Sequence, residues 1–254
     1  MDWPHGMRHE GKPIAEAERR PMNREDHRVR TAATRRERTR AKLMEAALLV
    51  FGEHGAEAIV IDEVIRLAGV ARGTFYNYFR GNGDLLDAVA SEAGDEMMQI
   101  IDPVVRLHTD PAQRVSDGIR LWLRLCRDNP HLGAFLHRAG AHVLSHNSLV
   151  RDFLPRDLAA GIESGRIPIS DPRLAFDLVT GAVLAATGTL LTQDVPADYP
   201  DRLAASVMLA LGIELAEARQ IASQPLSPVA AEPSSLIARS GVLNGQKDAA
   251  STRE

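Results

Sequence analysis

The sequence predicts an all-helical fold, with a small three-helix headpiece near the N-terminus and a larger helical domain after it. Apolar residues recur at spacings of three and four along most of the chain, and no segment shows the alternation of a β-strand. Asp-Pro and Asn-Pro pairs supply helix start signals. Alanine and leucine are abundant, whereas aromatic residues make up only 4% of the chain, which also favours helix.

The composition is typical of a soluble globular protein, with 44% hydrophobic and 25% charged residues among 254. The single cysteine, Cys126, excludes an intramolecular disulfide framework and a cysteine-rich zinc site, and it suits a reducing cytoplasm. No apolar run follows a basic start, as it would in a secretory signal. The longest uncharged stretch, residues 178–193, has 16 residues, fewer than the roughly 20 that a membrane span needs. We therefore expect a cytoplasmic protein with no membrane partner.

The domain boundaries follow from the distribution of residue types. Residues 1–34 and 223–254 combine charged, proline and small residues without apolar periodicity, so both segments are expected to be disordered. Between them we predict a headpiece over residues 35–90 and a second domain over residues 91–222.

Each predicted helix has an apolar face, and several have a start or stop signal. Before Gly52 and Gly55, one face of the first helix carries Leu43, Ala46, Ala47, Val50 and Phe51. Helix starts in the second domain are marked by Asp110-Pro111, Asn129-Pro130 and Asp171-Pro172. The predicted helices cover residues 37–54, 61–68, 72–79, 82 to near Pro103, a helix from 111, 130 to about 139, 148–164, 172–193 and 200–221.

A short turn joins the second and third of these helices. Gly69 in this turn can adopt the left-handed backbone that ends a helix, and Val70 can pack beneath it. Phe75 and Phe79, four residues apart, form the inward face of the helix that follows. The outward face then carries Arg72, Thr74, Tyr76, Asn77 and Tyr78. Polar and aromatic side chains with hydrogen-bonding tips on an exposed short helix suit a DNA major groove, so we predict a helix-turn-helix.

At these residues the sequence resembles the tetracycline-repressor (TetR) family of bacterial regulators, over about residues 38–90. The matching residues are Phe51, Gly55, Ile61, Val64, Ala68-Gly69-Val70, Arg72 to Phe79 and Asp84-Leu85-Leu86. Beyond residue 90 the resemblance rests on an all-helical pattern of the right length. The resemblance implies a DNA-binding headpiece and a C-terminal domain for ligand binding and dimerisation. The expected partners are a double-stranded DNA operator, a second copy of the chain and an unknown small-molecule effector.

The resemblance also implies roles for single residues of the headpiece. Thr74 and Tyr76 would bind phosphate, and Asn77 and Tyr78 would lie near bases or their flanking phosphates. Arg72 would reach the DNA backbone or a guanine. The alternative for Tyr76 and Tyr78 is packing against neighbouring helices. Further DNA contacts are expected from Arg36, Arg38, Arg40, Arg80 and Asn82.

The charge distribution departs from what a DNA-binding headpiece normally has. Residues 43–90 carry seven acids and three bases, a net charge of −4, and Asp62 stands where the family often has a base. Ile59 and Val60 replace the usual Thr or Ser, which removes a hydroxyl cap. Residues 19–42, in contrast, carry ten bases and three acids, a net charge of +7. We expect this basic arm to supply the missing attraction for DNA, although a solvated tail has the same composition.

The resemblance places a ligand cavity between the middle helices of the second domain. The candidate ligand contacts, each of which has ordinary core packing as its alternative, are Trp122, Cys126, Phe135 and Phe153. The helices over 172–193 and 200–221 would pair with their copies in a homodimer. Small residues there, which let helix backbones approach closely, are Gly181, Ala182, Ala185, Ala186 and Gly188; packing within one subunit is the alternative.

No metal site or cofactor is expected. His142 and His146, four residues apart, would share a helix face as metal ligands do. Neither a nearby cysteine nor a carboxylate pair completes such a site, so solvent-facing or hydrogen-bonded histidines are the simpler interpretation.

Catalytic motifs are absent from the sequence, which lacks Gly-x-Ser-x-Gly, His-Glu-x-x-His and a phosphate-binding glycine-rich loop. We therefore predict a regulator and not an enzyme, most simply a repressor that a small apolar molecule releases from its operator. Two other functions stay open at this point. One is an all-helical, protein-binding adaptor with little DNA affinity, which the acidic headpiece would allow, and the other is a helical enzyme with an unrecognised site.

Overall fold

The structure is all-helical, as the sequence predicts. A computed structural model of the chain describes residues 24–55, 60–144 and 148–251, and within these residues there are eleven α-helices and no β-strand. The helices are α1 Arg24–His54, α2 Ile61–Ala68, α3 Arg72–Phe75, α4 Asn82–Val105, α5 Pro111–Asp128, α6 Pro130–Ala139, α7 Val150–Glu163, α8 Pro172–Thr192, α9 Tyr199–Ala210, α10 Leu215–Ala222 and α11 Leu236–Ser251. A short 3-10 helix, Gly140–Leu144, follows α6.

α5 lies at the centre of the compact body that begins at Arg38. Twelve of its 18 residues are buried, and it packs against α4, α6, α7, α8, α9 and α10. Its start has the predicted cap, because the carboxylate of Asp110 accepts a hydrogen bond of 2.9 Å from the N–H of Ala112 and Pro111 occupies the first turn. A helix surrounded in this way forms a wall of any cavity between the middle helices.

A buried ionic network ties α5 to α9. The guanidinium of Arg120 donates to Asp117 at 2.8 Å, to Asp201 at 2.7 Å and to the carbonyl of Gln224 at 2.7 Å. Burial raises the pKa of Asp117, while hydrogen bonds from Gln113 and the charge of Arg120 oppose that rise. Buried charges are tolerated only when they are paired and hydrogen-bonded, so this network fixes α9 in one position against α5.

α1 begins at Arg24, ahead of the boundary expected near residue 35. Residues 24–34, which were expected to be disordered, are therefore helical, while residues 1–23 lie outside the described part of the chain. No glycine or proline occurs between Arg24 and Phe51, and the run is rich in the helix formers arginine, alanine and glutamate. Charged side chains of this kind favour helix even where no apolar face exists.

The predicted helix over residues 200–221 is divided into α9 and α10. Gly212 between them has a φ of 97°, in the left-handed region that favours glycine. A Cβ built at Gly212 would lie 2.9 Å from the Cβ of Pro168, so a larger residue would also meet a neighbouring loop. The break therefore has both a backbone and a packing cause.

The C-terminal segment, residues 225–251, docks onto the body where disorder was expected. Leu236 and Ile237 are fully buried at the start of α11. The carboxylate of Glu96 on α4 accepts hydrogen bonds from their two backbone N–H groups, at 2.6 and 3.0 Å. Arg239 forms an ion pair of 2.6 Å with Glu45 on α1. A segment poor in apolar residues is ordered because its few anchors are buried and its first N–H groups are capped.

α8 packs one face within the subunit and leaves another exposed. By length and composition it is the one helix in the described ranges that qualifies as a membrane span, with 39% of its most apolar window buried in the protein. A Cβ built at Gly188 would lie 2.4 Å from the ring of His137 on α6, so this small residue permits close packing inside one subunit. Gly181 and Ala185, by contrast, are exposed.

Candidate DNA-binding surface and ligand cavity

The turn between α2 and α3 has the predicted left-handed glycine. Gly69 has φ 66° and ψ 37°, and its N–H donates to the carbonyl of Arg66 at 3.3 Å. The N–H of Val70 donates to the carbonyl of Ile65 at 3.0 Å, which completes a glycine-capped helix end. The side chain of Val70 packs against the core. These contacts fix α3 relative to α2, as a helix-turn-helix requires.

α3 is shorter than the predicted helix over residues 72–79. It ends at Phe75, and the N–H groups of Asn77 and Tyr78 donate to carbonyls three residues back, at 3.2 and 2.9 Å. The chain therefore continues as a tighter hydrogen-bonded turn through Tyr78. Phe75 and Phe79 are buried with ring centroids 5.8 Å apart, which confirms the predicted inward face. We call residues 72–78 the recognition segment.

Exposure separates the predicted DNA contacts of the recognition segment. Arg72, Asn77 and Tyr76 are exposed, and 49% of Tyr76 is accessible. Thr74 and Tyr78 are only half-exposed, and Tyr78 packs against the core, in line with the alternative open for it. The side chains free to enter a groove are therefore chiefly those of Arg72, Tyr76 and Asn77.

Asp62 changes the electrostatics of Arg72. The two side chains, from the first turns of α2 and α3, form an ion pair at the surface. Asp62 stands where the family often has a base, and here its negative charge is matched by that of Arg72, the arginine expected to approach DNA. An exposed pair of this kind adds little stability, so its main effect is on where the guanidinium lies.

Arg80 and Asn82 lie at the start of α4. Arg80 is exposed, and its backbone N–H donates to the carboxylate of Asp84 at 2.8 Å. The side-chain oxygen of Asn82 accepts a hydrogen bond of 3.3 Å from the N–H of Val60, which precedes α2. Asn82 therefore stabilises the entry to α2, where Val60 provides no side-chain cap. Ile59 lies outside the described residues.

Several acids of the headpiece are paired within the protein. Ion pairs formed by these acids include Glu45–Arg239, Asp62–Arg72, Glu63–His54 and Asp87–His142. The two histidine pairs carry opposite charges only when the imidazole is protonated. The net negative charge of the headpiece is consequently less concentrated at its surface than the sequence count suggests.

The three arginines of α1 predicted to contact DNA differ in their surroundings. Arg36 and Arg38 are exposed. Arg40 forms an ion pair of 2.8 Å with Glu92 on α4, and its guanidinium lies 5.9 Å from the ring centroid of Phe79. Arg40 thus connects α1 to α4, and a phosphate would compete with Glu92 for its charge.

A largely apolar cavity lies between α4, α5, α7 and α8. About 690 Å³ of space between atoms lies within it when its opening to solvent is included. Its apolar wall includes Met98, Ile101 and Val105 from α4, Val115, Ile119 and Trp122 from α5, Phe153 and Leu154 from α7, and Val179 and Val183 from α8.

Two of the four predicted ligand contacts line this cavity and two do not. Trp122 and Phe153 are part of its wall. Cys126 is fully buried elsewhere in the core, where burial raises the pKa of its thiol to about 12 against a hydrogen bond with Thr187. Phe135 is also fully buried, and its backbone approaches Gly52 of α1. Both residues contribute to packing and neither lines this cavity, so their assignment to a ligand site stays a prediction.

The cavity also has polar wall residues that the sequence did not single out. Asp102, Arg114 and Asp157 line it, and all three contact a charged partner. Arg156 donates to Asp102 at 2.6 Å and to Asp157 at 2.9 Å, and these carboxylates raise its pKa. The Nε of Arg114 lies 3.2 Å from Oδ1 of Asp157. Four charges scattered over α4, α5 and α7 leave no local sequence signal, which is why sequence reasoning missed them.

Two histidines of the middle helices, His131 and His142, contact other groups of the protein. His131 contacts the carbonyl of Ile237 at 3.3 Å, and burial lowers its pKa. His142 contacts Asp87 at 2.8 Å, while His146 lies outside the described residues. One group of possible metal ligands occurs in the described ranges: Glu53, His54 and Glu63. Its ligand atoms lie within 4.8 Å of one another at the surface, where exposed acidic groups gather without a metal.

The fold and the site together define a helix-turn-helix transcriptional regulator with a helical C-terminal domain. Residues 43–89 match the family model described as bacterial regulatory proteins of the tetR family. Residues 110–224 match the model of the tetracyclin repressor-like C-terminal domain. The chain belongs to the TetR family, whose members regulate transcription and are not enzymes. Binding to a DNA operator and response to effector ligands are the general properties of this family.

Similar proteins agree with this assignment. An uncharacterized HTH-type transcriptional regulator of Mycobacterium tuberculosis is 32% identical over 108 residues, which are 41% of this chain and 52% of the relative. The chain thus spans about half the length of the curated relatives it matches first. The crystal structure of RolR in complex with resorcinol is 34% identical, with a TM-score of 0.64, and covers 78% of this chain and all of RolR. FadR of Bacillus subtilis in complex with stearoyl-CoA is 22% identical, with a TM-score of 0.53 over 68% of this chain and 98% of FadR, and supports the fold alone.

Proposed function

We propose that the protein is a ligand-responsive repressor, acting in the cytoplasm as a homodimer, that a small and mainly apolar molecule releases from its operator. The observation that carries this proposal is the position of α4. Its first residues follow the recognition segment, and its last turns supply Met98, Ile101 and Val105 to the cavity wall. A molecule in the cavity therefore touches the helix that carries the headpiece.

The recognition segment is the proposed reader of the operator. Tyr76 would donate to a phosphate, so Tyr76→Phe should weaken binding to all sequences alike. Asn77 is exposed, and an asparagine side chain can form two hydrogen bonds with an adenine edge, so Asn77→Ala should also relax base preference by roughly 1–3 kcal/mol. Fluorescence anisotropy with operator and scrambled duplexes separates the two effects. If both variants bind the operator as the wild-type protein does, the recognition segment does not read the operator sequence.

The basic arm, residues 19–42, is the proposed source of non-specific DNA affinity. Of its arginines, Arg36 and Arg38 are exposed in the described part of the chain. Each phosphate neutralised adds about 0.9 to the slope of log affinity against log salt. Deleting residues 1–34 should lower affinity and flatten this slope while sequence preference persists, and an unchanged slope would exclude the arm from the DNA contact.

The homodimer would form through the exposed face of α8 together with α9. Leu174, Gly181 and Ala185 lie along one side of α8 and are exposed, and Leu209 is exposed on α9. Two headpieces are needed for a two-fold operator, whose half-sites lie about 34 Å apart. Ala185→Arg should give monomers in sedimentation at micromolar concentration, whereas Arg219→Ala, an exposed change on α10, should leave the dimer intact.

The cavity supports a small and mainly apolar effector. Fifteen of its 19 wall residues are apolar or glycine, which favours a mainly apolar ligand. RolR, which resembles this chain over most of its length, was solved with resorcinol, a small aromatic diol. Resorcinol is therefore the first molecule to test on this protein.

Selection of bound fragments from random DNA, repeated with candidate effectors, tests the function as a whole. We expect a two-fold symmetric operator and its release by an effector. A protein that binds no DNA even at low salt would support the adaptor alternative, because the acidic headpiece would then lack a compensating contact.

Gly118 offers a test of where the effector binds. It lines the cavity, and a Cβ built on it meets nothing within 4 Å. Gly118→Phe should fill the cavity and abolish release from the operator while DNA binding persists. Gly118→Ala is the matched control, which keeps the cavity open and stabilises α5 by about 1 kcal/mol. Normal release by Gly118→Phe would place the effector elsewhere.

A further inference from the structure

The charged groups of the cavity wall form ion pairs with one another or with Arg156. Asp102 and Asp157 are the acids, and Arg156 contacts them at 2.6 and 2.9 Å. Arg114 lies 3.2 Å from Asp157. A fifth group, Arg106, is 65% exposed and reaches Asp102 only at 3.9 Å, so it stays hydrated. The partly buried Asp102 and the buried Asp157 thus balance the charges of two close arginines, and an anionic ligand would add a third negative charge beside these two carboxylates.

Two buried nitrogen atoms of the wall have no hydrogen-bond acceptor among the described residues: the Nε of Arg114, which is 3.2 Å from Asp157 without forming a hydrogen bond, and the indole nitrogen of Trp122. Trp122 lines the cavity with only 6% of its surface exposed, and its indole N–H has no hydrogen-bond acceptor among the residues that the structure describes. The other uncharged polar group of the wall, the hydroxyl of Thr180, donates to the carbonyl of Phe176 at 2.8 Å. A buried N–H without an acceptor is unfavourable, so a ligand that supplies an acceptor gains an interaction that a purely apolar ligand lacks.

We propose that the effector is a neutral molecule with an apolar body and a hydrogen-bond acceptor oxygen that receives the N–H of Trp122. This inference rests on the proposed function, because it takes the cavity as the effector site, and it narrows the class of effector. Carboxylates and other anions are disfavoured because Asp102 and Asp157 already balance the charges of the nearby arginines. Hydrocarbons without an oxygen are disfavoured by the unpaired N–H. A water molecule is the competitor for Trp122, and the acceptor of the ligand replaces it.

Three planar molecules of nearly equal size test the inference on the full-length protein without DNA. Acetophenone carries a neutral carbonyl acceptor, α-methylstyrene has a CH₂ group in place of that oxygen, and benzoate carries a negative charge. We expect acetophenone to bind about three- to tenfold more tightly than α-methylstyrene, the effect of one hydrogen bond, and benzoate to bind most weakly. Isothermal titration calorimetry measures all three affinities.

Trp122→Phe is the matched variant, because phenylalanine keeps an apolar ring and lacks the N–H. The preference for acetophenone over α-methylstyrene should disappear in this variant. A second measurement does not depend on how the variant folds: the indole N–H resonance of Trp122 in the wild-type protein, assigned with the help of Trp3→Phe, should move downfield with acetophenone and not with α-methylstyrene.

Each other result overturns the inference. Equal binding of acetophenone and α-methylstyrene would show that Trp122 contributes no hydrogen bond, and tightest binding by benzoate would show an anion site. Failure of all three to bind would also overturn it. The proposed function is tested separately. If any ligand of the cavity, resorcinol included, releases the operator, the repressor function is supported even when the proposed class of neutral acceptor ligands is rejected.

Discussion

Replacing Ile237 by alanine should weaken the attachment of the C-terminal segment to the body of the protein. Ile237 is fully buried, its N–H donates to Glu96 on α4, and its carbonyl contacts His131 on α6. The substitution removes three side-chain carbons from this buried position and leaves both backbone contacts in place. The change therefore measures packing at the anchor of α11.

The expected magnitude follows from the burial. Removing a buried isoleucine side chain down to its Cβ costs about 2–5 kcal/mol, the lost transfer free energy plus the cavity that remains. The segment is peripheral, however, and it can detach without unfolding the rest of the chain. The loss of stability caused by Ile237→Ala therefore cannot exceed the free energy with which the C-terminal segment docks. If it reaches that limit, the variant should behave like a chain that ends after Gln224.

Native-state hydrogen exchange and urea unfolding together provide the assay. Exchange at the N–H groups of Leu236 and Ile237 reports detachment of α11, and urea reports global stability. Val242→Ala is the control on the same helix, because Val242 is 64% exposed, and it should change stability by less than about 0.5 kcal/mol. Fast exchange at both N–H groups in the wild-type protein, or equal effects of the two substitutions, would refute the docking described above.

The remaining predictions concern single buried groups. Burial raises the pKa of Glu96 above its ordinary 4.5, so the folded chain holds this proton more tightly, and the stability it contributes is lost as pH rises through the folded pKa. The difference in unfolding free energy between wild type and Glu96→Gln should favour wild type increasingly as pH falls toward 4.5; a constant difference would contradict this. The thiol of Cys126, with a pKa of about 12, should resist iodoacetamide at neutral pH until urea unfolds the protein, and rapid labelling of the native state would count against its burial. Arg120→Met should lower the free energy of unfolding in urea by about 3–5 kcal/mol, because the buried Asp117 loses the positive charge beside it. Arg124→Met, at the partly exposed end of the same network, should lower it by less than about 1 kcal/mol. Equal losses in the two variants would contradict the network.

Helices with local end signals are the part of the fold that the sequence predicts well. α2 has the predicted bounds because Gly69, which follows its last residue, adopts the left-handed backbone conformation that ends the helix. α5 and α8 begin where predicted because the carboxylates of Asp110 and Asp171 accept hydrogen bonds from N–H groups two or three residues on. Each signal acts within about one turn of helix, so it can be found in a short window of sequence.

The C-terminal segment could not be predicted in the same way. Its composition is that of a disordered tail, and Leu236 and Ile237 are the apolar residues of the segment that are fully buried. The group that caps their N–H atoms, Glu96, lies 140 residues earlier in the chain. A contact of that range leaves no periodicity or motif in either segment, so only the folded structure shows it.

The cavity shows a different limit of sequence reasoning. Trp122 and Cys126 lie one turn apart on the same apolar face of α5, and the sequence assigns both to the ligand site. In the structure Trp122 lines the cavity, whereas Cys126 packs against Thr187 and Gly133. An apolar face predicts burial, but it does not predict whether neighbouring atoms fill the space beside it.

α4 connects the parts on which the proposed switch depends. At its start Asn82 holds the entry to α2, further along Glu92 holds Arg40 of α1, and its last turns line the cavity. Its 24 residues span about 36 Å, so a tilt of about 5° at the cavity end moves the headpiece end by about 3 Å. Two recognition segments that must match grooves about 34 Å apart would lose their fit with such a displacement.

An effector can cause the shift only through different affinities for the two positions of α4, typically about 1–3 kcal/mol, and DNA must then weaken effector binding by the same factor. Titrating the effector against free and operator-bound protein measures both sides of this equality, and equal affinities in the two titrations would show that α4 does not carry the signal.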